Sequence, residues 1–297
     1  MHTVKMPGLA REVSALCLGT ADVPSYDDAA PLYDAFVEAG GTIFDTAWIY
    51  GLGRAETLFG QWLKARGNRT DLVVIAKGAH TPECTPQAIG AQLDQSLERL
   101  GIETADIYMM HRDDPAVPVG EFVDAIAREV NAGRVNAYGF SNWPLDRLDA
   151  AIAYANEHGL KAPTALSNNF SLAEMVEPVW DGCIHSSDAA SIARLANGDV
   201  GLFAWSSQAR GYFVRDDDDP ELRRCWRSSA NEARKARAQE LAAKYGVSGN
   251  AIALAYCLNQ SFPIIPLIGP LKPDELTSSL TALEVKLTSD ELAWLTA

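Results

Sequence analysis

The chain has 297 residues, of which 47% are hydrophobic, and its 25 basic and 39 acidic side chains give a net charge of −14. Such an acidic balance disfavours a general role in binding nucleic acid or anionic membranes, since both repel acidic proteins. The length and the apolar fraction suit one α/β domain of about 250 residues with its loops, which we expect to span residues 1–297.

Strand-like apolar runs alternate with helix-like segments along the whole chain. The predicted strands begin at Val13, Thr42, Leu72, Asp106, Val135, Thr164, Val200 and Pro263. Most of them are short and little alternating, as expected of parallel strands that are buried on both faces. Many of the intervening helices stop at a glycine; one of them is capped by Thr85, has Pro86 at its first position and ends at Gly101. Eight such units predict a closed (β/α)8 TIM-type barrel, with its active site at the C-terminal mouth, rather than an open doubly wound sheet.

The connection at 206–231 is unusually long and carries both an acidic run, 216–219, and the basic pair Arg223-Arg224. Long connections without predicted structure are often functional lids in compact domains. A solvated surface loop is the alternative, and the sequence favours neither.

The cysteines Cys17, Cys84, Cys183, Cys225 and Cys257 are scattered and form no C-x-x-C pair. This pattern predicts a reduced, intracellular protein. No apolar run approaches the roughly 20 residues of a membrane helix, and no signal peptide is visible, so we expect a cytoplasmic location. The histidines include no H-x-H or H-E-x-x-H pair, so no metal is expected.

An acid, a phenol, a lysine and a histidine follow three successive predicted strands. Asp45 opens a loop that reaches Tyr50, Lys77 ends the second of these strands, and His111 ends the third. In a β/α barrel these strand ends converge on one mouth, and titratable groups of different intrinsic pKa gathered there are typical of an acid–base site. Each residue alone has an ordinary explanation, such as a turn cap or a core histidine. An ordinary structural role is hardest to assign to Lys77, because burying an unpaired ammonium costs several kcal/mol.

Taken together, these residues resemble those of the aldo-keto reductases, from about Val4 to the C-terminus. The matching segments are 44–47 with Tyr50-Gly51, Lys77, 106–108 leading to His111-Arg112, 139–142 and 264–269. The resemblance implies an eight-stranded barrel that binds NADP(H) without a Rossmann domain. Consistently, no G-x-G-x-x-G lies between a strand and a helix. It also implies an NAD(P)H-dependent oxidoreductase that moves a hydride between nicotinamide and a carbonyl or alcohol.

The resemblance assigns a role to each of the four titratable residues. Tyr50 is the general acid, Lys77 tunes it, Asp45 anchors Lys77, and His111 orients the carbonyl and shares the proton transfer. The assignment suits the chemistry, because a proton donor must meet the oxygen on which negative charge grows. A neighbouring ammonium is expected to lower the pKa of the tyrosine below its usual value of about 10.

For the cofactor, the resemblance places Ser141 and Asn142 at the nicotinamide carboxamide, and Trp205 against the nicotinamide ring. The further cofactor candidates are Thr20, Ser167, Ser206, Gln208, Arg210, Gly269, Leu271, Lys272, Glu275 and Ser279.

Two departures from the family pattern concern the cofactor. Ser167 stands where a glutamine is common, so Asn168 or Asn169 is expected to supply the amide contact. Leu271 stands where an arginine usually clamps the 2′-phosphate of NADP, which a leucine cannot do. We expect NADP as the cofactor, and NAD as the alternative. Lys272 is either a point charge for the phosphate or a solvated lysine at the start of a helix, and the sequence favours neither.

The candidates for substrate contact follow the same strand ends. They are Trp48, His80, Arg112, Asp113, Trp143 and Trp226. This mixture of aromatic and polar groups favours a small carbonyl or hydroxyl compound of sugar-like or polyol-like character over a steroid.

Two other functions compete with a reductase. A cofactor-binding barrel could act as a regulatory or interaction subunit with little turnover, but a retired enzyme has no need of a complete set of catalytic residues. A barrel hydrolase could use Asp45 and Asp113 as paired carboxylates, but this reading leaves Lys77 unexplained.

Overall fold

Eight parallel strands form a closed barrel in the computed structural model, which describes residues 1–215 and 219–297. They are β3 (Cys17–Gly19), β4 (Ile43–Asp45), β5 (Val73–Gly78), β6 (Ala105–Met110), β7 (Val135–Ser141), β8 (Ala165–Ser167), β9 (Gly201–Ala204) and β10 (Ile264–Ile268). Their order around the barrel is β10-β3-β4-β5-β6-β7-β8-β9, so β10 and β3 close the ring. This arrangement confirms the (β/α)8 barrel predicted from the alternation of segments.

The helices surround the barrel, whose outward side chains are buried in a large apolar layer. They are α1 (Tyr26–Glu38), α2 (Arg54–Arg66), α3 (Pro86–Leu100), α4 (Val119–Asn131), α5 (Leu145–Glu157), α6 (Ala189–Leu195), α7 (Pro220–Trp226), α8 (Ser229–Tyr245), α9 (Gly249–Leu258), α10 (Pro273–Leu280) and α11 (Ser289–Thr296). The predicted boundaries of α3 are confirmed. The hydroxyl of Thr85 accepts from the Ala88 N–H, and Gly101 ends the helix in the left-handed region, at a φ of 64°.

The predicted first strand, which begins at Val13, is divided in two. β1 (Thr3–Val4) and β2 (Val13–Ser14) pair as an antiparallel hairpin, and only Cys17–Gly19 enters the barrel. Met6 and Val13 pack with the inward-facing residues of the barrel strands in one apolar cluster. The hairpin therefore closes the N-terminal end. The sequence does not mark the break, because both pieces are buried and apolar.

The connection at 206–231 has more structure than the sequence predicts. Its described part contains a 3₁₀ turn at Ala209–Gly211 and helix α7, and α8 has already begun at Ser229. Asp219 caps α7 by accepting the backbone N–H groups of Glu221 and Leu222. Residues 216–218 of the acidic run lie outside the described residues.

We expect Gly139→Ala to destabilise the barrel by about 3 kcal/mol or more, because a Cβ at Gly139 would lie 1.8 Å from the backbone oxygen of Ala165 in β8. A side-chain tip could move away from such a contact, but the backbone of a paired strand cannot. Urea unfolding of the variant measures the change. The control is Gly90→Ala in α3, where the new Cβ would meet only the side-chain carboxylate of Glu129. Equal stabilities of the two variants would contradict this packing argument.

Candidate active site

A cavity of about 1030 Å³ opens at the C-terminal mouth of the barrel. Asp45, Lys77 and His111, at the ends of β4, β5 and β6, line one part of it, and residues after β10 line another. Strands β6 and β10 lie four places apart in a ring of eight, and hence on opposite sides. The volume is at the upper end of the roughly 300–1,000 Å³ of small-molecule sites, enough for an extended ligand.

A buried ion pair lies at the base of the cavity. Lys77 Nζ donates to the carboxylate of Asp45, and the two residues are only 2% and 3% exposed. Burial raises the pKa of Asp45 although Lys77 opposes the shift. Burial would lower the pKa of Lys77, but Asp45 and Tyr50 outweigh it and raise that pKa instead. The proton therefore stays on the lysine. Thr20 does not line the cavity; its N–H and hydroxyl each donate to the Asp45 carbonyl at 3.0 Å.

Tyr50 begins a 3₁₀ turn directly after the β4 loop and lies against the ion pair. Its ring centroid is 5.1 Å from Lys77 Nζ, and its hydroxyl is hydrogen-bonded to this ammonium. The sequence leads us to expect a lowered pKa for this phenol, but the net shift is upward. Burial raises the pKa of Tyr50, and Lys77 opposes this only in part. The influence of the lysine has the expected sign, yet the loss of solvation exceeds it.

His111 packs edge-on against two other rings of the site. Its centroid is 5.5 Å from that of Tyr50 and 4.9 Å from that of His80. Burial, followed by the positive charges of Lys77 and Arg112, lowers the pKa of His111 well below its usual value. The imidazole is therefore neutral near neutral pH. Its Nδ1 has no hydrogen-bond partner in the described part of the chain.

Polar groups and one aromatic ring extend the cavity along β7, β8 and β9. Ser141 Oγ donates to the Ser167 carbonyl at 2.9 Å, and Asn142 Nδ2 donates to Ser141 Oγ at 3.0 Å. Trp205 is partly exposed to the cavity, and its indole nitrogen has no partner among the described residues. The other cofactor candidates in the lining are Ser206, Gln208, Arg210, Gly269, Leu271, Glu275 and Ser279.

The loop after β9 holds three non-glycine residues in the left-handed region of φ, which is uncommon and costs free energy. They are Ser206, Ala209 and Arg210, with φ of 48°, 47° and 54°. The Ala209 N–H bonds back to the Ser206 carbonyl at 2.8 Å, which fixes the turn. Backbone strain of this kind clusters at ligand-binding sites, and this loop lines the cavity.

Besides Thr20, three residues with an expected cofactor contact lie outside the cavity lining. Asn168 and Asn169 are fully buried, and their amides donate to the carbonyls of Trp143 and Trp205, so neither replaces Ser167 in the lining. Lys272 is exposed at the start of α10 and also lies outside the lining.

At this end of the cavity, the lining contains Leu271 and Glu275. A carboxylate oxygen of Glu275 accepts the Leu271 N–H at 2.7 Å. A carboxylate therefore lies beside Leu271 at this end of the cavity.

Two of the tryptophans expected at the substrate point elsewhere. The indole N–H of Trp48 donates to Gln95 at 2.9 Å, and the guanidinium of Arg99 lies over its ring, so this side chain faces α3. Trp226 is fully buried outside the cavity lining, and its carbonyl accepts from Asn231. Neither side chain lines the cavity.

The other substrate candidates divide into two groups. His80 and Arg112 line the cavity. Asp113 does not, because Arg147 holds its carboxylate by two hydrogen bonds of 2.7 and 2.8 Å. Trp143 is fully buried outside the lining, and its indole donates to the Arg112 carbonyl.

The sequence prediction missed the segment 180–183, which follows β8. Trp180, Asp181 and Cys183 line the cavity, and the Trp180 ring lies 6.0 Å from that of Trp205. The connection between β8 and α6 is long, like the connection after β9. Its length was the signal that could have marked it as part of the site.

Within residues 1–215 and 219–297, no helix is long and apolar enough to cross a membrane. The same residues include no group of three or more His, Cys, Asp or Glu side chains arranged to hold a metal ion. All five cysteines are free and buried.

Comparison with known proteins identifies the family. The model of the aldo/keto reductase family matches residues 15–297, so the chain belongs to this family of oxidoreductases. The norsolorinic acid reductase stcV of Emericella nidulans is 28% identical, over 98% of this chain and 79% of its own length. The aldo-keto reductase str7 of Strobilurus tenacellus is 30% identical, over 91% and 81%.

Two further proteins are similar over almost the whole chain. An aryl-alcohol dehydrogenase [NADP(+)] of Phanerodontia chrysosporium is 27% identical, over 99% of this chain and 84% of its own length. Among solved structures, the thermostable aldo-keto reductase Tm1743 in complex with the inhibitor epalrestat matches with a TM-score of 0.80 and 22% identity, covering 100% of this chain and 99% of that one. At this identity the structural match supports the fold alone.

We expect Asp45→Asn to cost about 3–5 kcal/mol of stability, because it leaves the buried ammonium of Lys77 without a counter-ion. Lys77→Met should cost a similar amount of stability, since it leaves the buried carboxylate of Asp45 without a counter-ion. The double variant should lose much less than the sum, because no buried charge remains. Urea unfolding of the four proteins measures this coupling, with Glu232→Gln in an exposed ion pair as the control. Additive losses would contradict the coupling.

We expect the free energy of unfolding to decrease as the pH is lowered, partly because of His111. The unfolded chain takes up a proton on this histidine below about pH 6.5, whereas the folded protein, with a lowered pKa, does not. Acidification thus favours unfolding, by at most about 1.4 kcal/mol per pH unit for one group. Urea unfolding from about pH 7.5 to about pH 5.5 should show a shallower decline for His111→Gln than for the parent. The control is His158→Gln on the surface, and equal slopes in all three proteins would count against the prediction.

Proposed function

We propose that this member of the aldo/keto reductase family reduces a small carbonyl compound, with a reduced nicotinamide nucleotide as the reductant and Tyr50 as the proton donor. The observation that carries the proposal is one contact group at the mouth of the barrel. Tyr50 lies on Lys77, Lys77 is paired with Asp45, and His111 packs against Tyr50. We call these four residues the tetrad.

The tetrad can deliver one proton to a carbonyl oxygen. When bound, the reduced nicotinamide supplies the hydride that is transferred to the carbonyl carbon. Tyr50 gives its hydroxyl proton to the oxygen, on which negative charge grows. Because its pKa is raised, this hydroxyl is fully protonated near neutral pH, as a proton donor must be. Lys77 stabilises the tyrosinate left behind, and Asp45 holds the ammonium in place.

His111 fits the role of a neutral hydrogen-bond donor in this proposal. A neutral imidazole carries one N–H, and that group can orient the carbonyl oxygen towards Tyr50. A cationic imidazolium would compete with the tyrosine as an acid. Burial, together with the positive charges of Lys77 and Arg112, prevents this by keeping the imidazole unprotonated.

The lining suits a nicotinamide dinucleotide over the length of the cavity. Ser141 and Asn142 offer polar groups for the carboxamide, and Trp205 offers an aromatic face to the ring. The strained loop after β9 contributes Ser206, Gln208 and Arg210. It lies between the nicotinamide residues and those after β10. We propose NADP(H) as the cofactor, as in the name of one relative, with NAD(H) accepted as well. Leu271 and Glu275 leave the adenosine end without the expected clamp.

We expect Tyr50→Phe to lower kcat by about 10²-fold or more, because general acid catalysis contributes about this much. The assay follows NADPH and NADH oxidation with a small aldehyde. Cofactor binding, measured by quenching of tryptophan fluorescence, should change little. The control is Tyr154→Phe, a tyrosine of α5 outside the cavity lining. A Tyr50→Phe protein with most of its activity would refute the acid role; a parent that binds cofactor without turnover would favour a regulatory subunit.

We expect Leu271→Arg to raise the affinity for NADPH relative to NADH by about tenfold, since charge-assisted contacts to a phosphate contribute one to three kcal/mol. Fluorescence titration of the parent and of Leu271→Arg with NADPH and with NADH measures the ratio of the two affinities. Val176→Arg adds the same charge at an exposed apolar residue outside the lining and should leave the ratio unchanged. An unchanged ratio in Leu271→Arg would mean that another residue receives the 2′-phosphate.

A further inference from the structure

Arg112 is a buried guanidinium at the cavity and makes few contacts. It is 6% exposed and belongs to the lining. Its Nη1 donates to the His111 carbonyl at 2.8 Å, and its Nη2 lies 3.5 Å from the sulfur of Cys183. Its Nε has no hydrogen-bond partner within the described chain. A guanidinium has five N–H donors, so most of those on this side chain have no acceptor among the residues that the structure describes.

The other cations of the lining are neutralised by carboxylates. Lys77 is paired with Asp45, as described above. Arg210 lies 3.5 Å from the carboxylate of Glu221, and Arg215 lies 2.6 Å from that of Asp219.

Arg112, in contrast, has no ion-pair partner among residues 1–215 and 219–297. The nearest acid along its own strand end, Asp113, is held by Arg147, and Asp181 of the facing segment is exposed. A buried charge without a counter-ion is costly, so proteins rarely keep one that has no partner. A bound ligand could supply the counter-ion that the described residues do not.

We propose that Arg112 is a specificity-determining residue that pairs with a carboxylate of the substrate, so that this enzyme reduces oxo acids. The inference rests on the proposed function and deepens it. Arg112 directly follows His111, so the bound carboxylate lies near the carbonyl that the tetrad protonates. The hydride goes to the carbonyl carbon, the proton of Tyr50 goes to the oxygen, and the products are a hydroxy acid and the oxidised nicotinamide.

The position and the charge of Arg112 favour a substrate carboxylate over the phosphates of the cofactor. Arg112 follows β6, whereas Leu271 and Glu275 follow β10 on the opposite side of the barrel. One guanidinium balances the single charge of a carboxylate, but not the double charge of a phosphate monoester. Its planar fork also matches the two oxygens of a carboxylate. The sugar-like substrate suggested by the sequence loses support, because Trp48, Trp143 and Trp226 lie outside the lining.

The test compares each acid with its own neutral ester. The parent, Arg112→Gln and Arg112→Lys are assayed with 4-oxobutanoate and its methyl ester, and with 4-formylbenzoate and its methyl ester. We expect the parent to prefer at least one acid by about tenfold in kcat/KM, and Arg112→Gln to abolish this preference. Arg112→Lys should keep part of it, because a point charge remains. The control is Arg128→Gln, an exposed arginine of α4, which should leave the preference intact. No preference in the parent, or one that survives Arg112→Gln, would overturn the proposal.

A second measurement does not depend on turnover. Calorimetry compares the binding of succinate and of inorganic phosphate to the cofactor-free parent and to Arg112→Gln. We expect succinate to bind the parent and its affinity to fall by about tenfold in the variant. Tighter binding of phosphate than of succinate, or equal succinate binding by both proteins, would refute a carboxylate site at Arg112. If no aldehyde is reduced with either nucleotide, the proposed function fails, and this measurement still decides the role of Arg112.

Discussion

The ion pair between Lys77 and Asp45 is the interaction on which the rest of the site depends. The register of β4 and β5 places Asp45 opposite Ile75. Ile75 lies two residues before Lys77, so these two side chains point to the same face of β5. Both charges are buried, so each would be costly without the other. The pair thus keeps an ammonium inside the barrel. This ammonium contacts Tyr50 and contributes to the lowered pKa of His111.

Burial, more than charge, sets the protonation states of Tyr50 and His111. Loss of solvation raises the pKa of Tyr50 and lowers that of His111, so both side chains are neutral near neutral pH. A protonated phenol beside a neutral imidazole suits reduction, in which the enzyme must give up a proton. In the proposed reaction, the lysine acts afterwards, by stabilising the tyrosinate. With Asp45 and Lys77 cancelling each other, Arg112 is a net positive charge beside His111.

The base of the proposed site and its ends are built from different parts of the barrel. Asp45 and Lys77 lie in paired strands and His111 directly follows β6, whereas Tyr50 begins the 3₁₀ turn after the β4 loop. Leu271, Glu275 and the segment 180–183 belong to connections between strands and helices. Such connections vary without disturbing the barrel, so specificity can change while the chemistry is kept. We therefore expect the preferences of this enzyme to differ from those of relatives that share its tetrad.

The sequence by itself determined the barrel, the order of its elements and the chemical character of its mouth, because buried parallel strands and helix caps leave local patterns. It also selected His80 and Arg112, which line the cavity. Only the tertiary structure decided which way Trp48 and Trp226 point, since a side chain near a strand end can face either the mouth or a neighbouring helix. It alone revealed the segment 180–183 and the lack of a counter-ion for Arg112 among residues 1–215 and 219–297. Such facts depend on packing between distant segments, which leaves no periodic pattern in the chain.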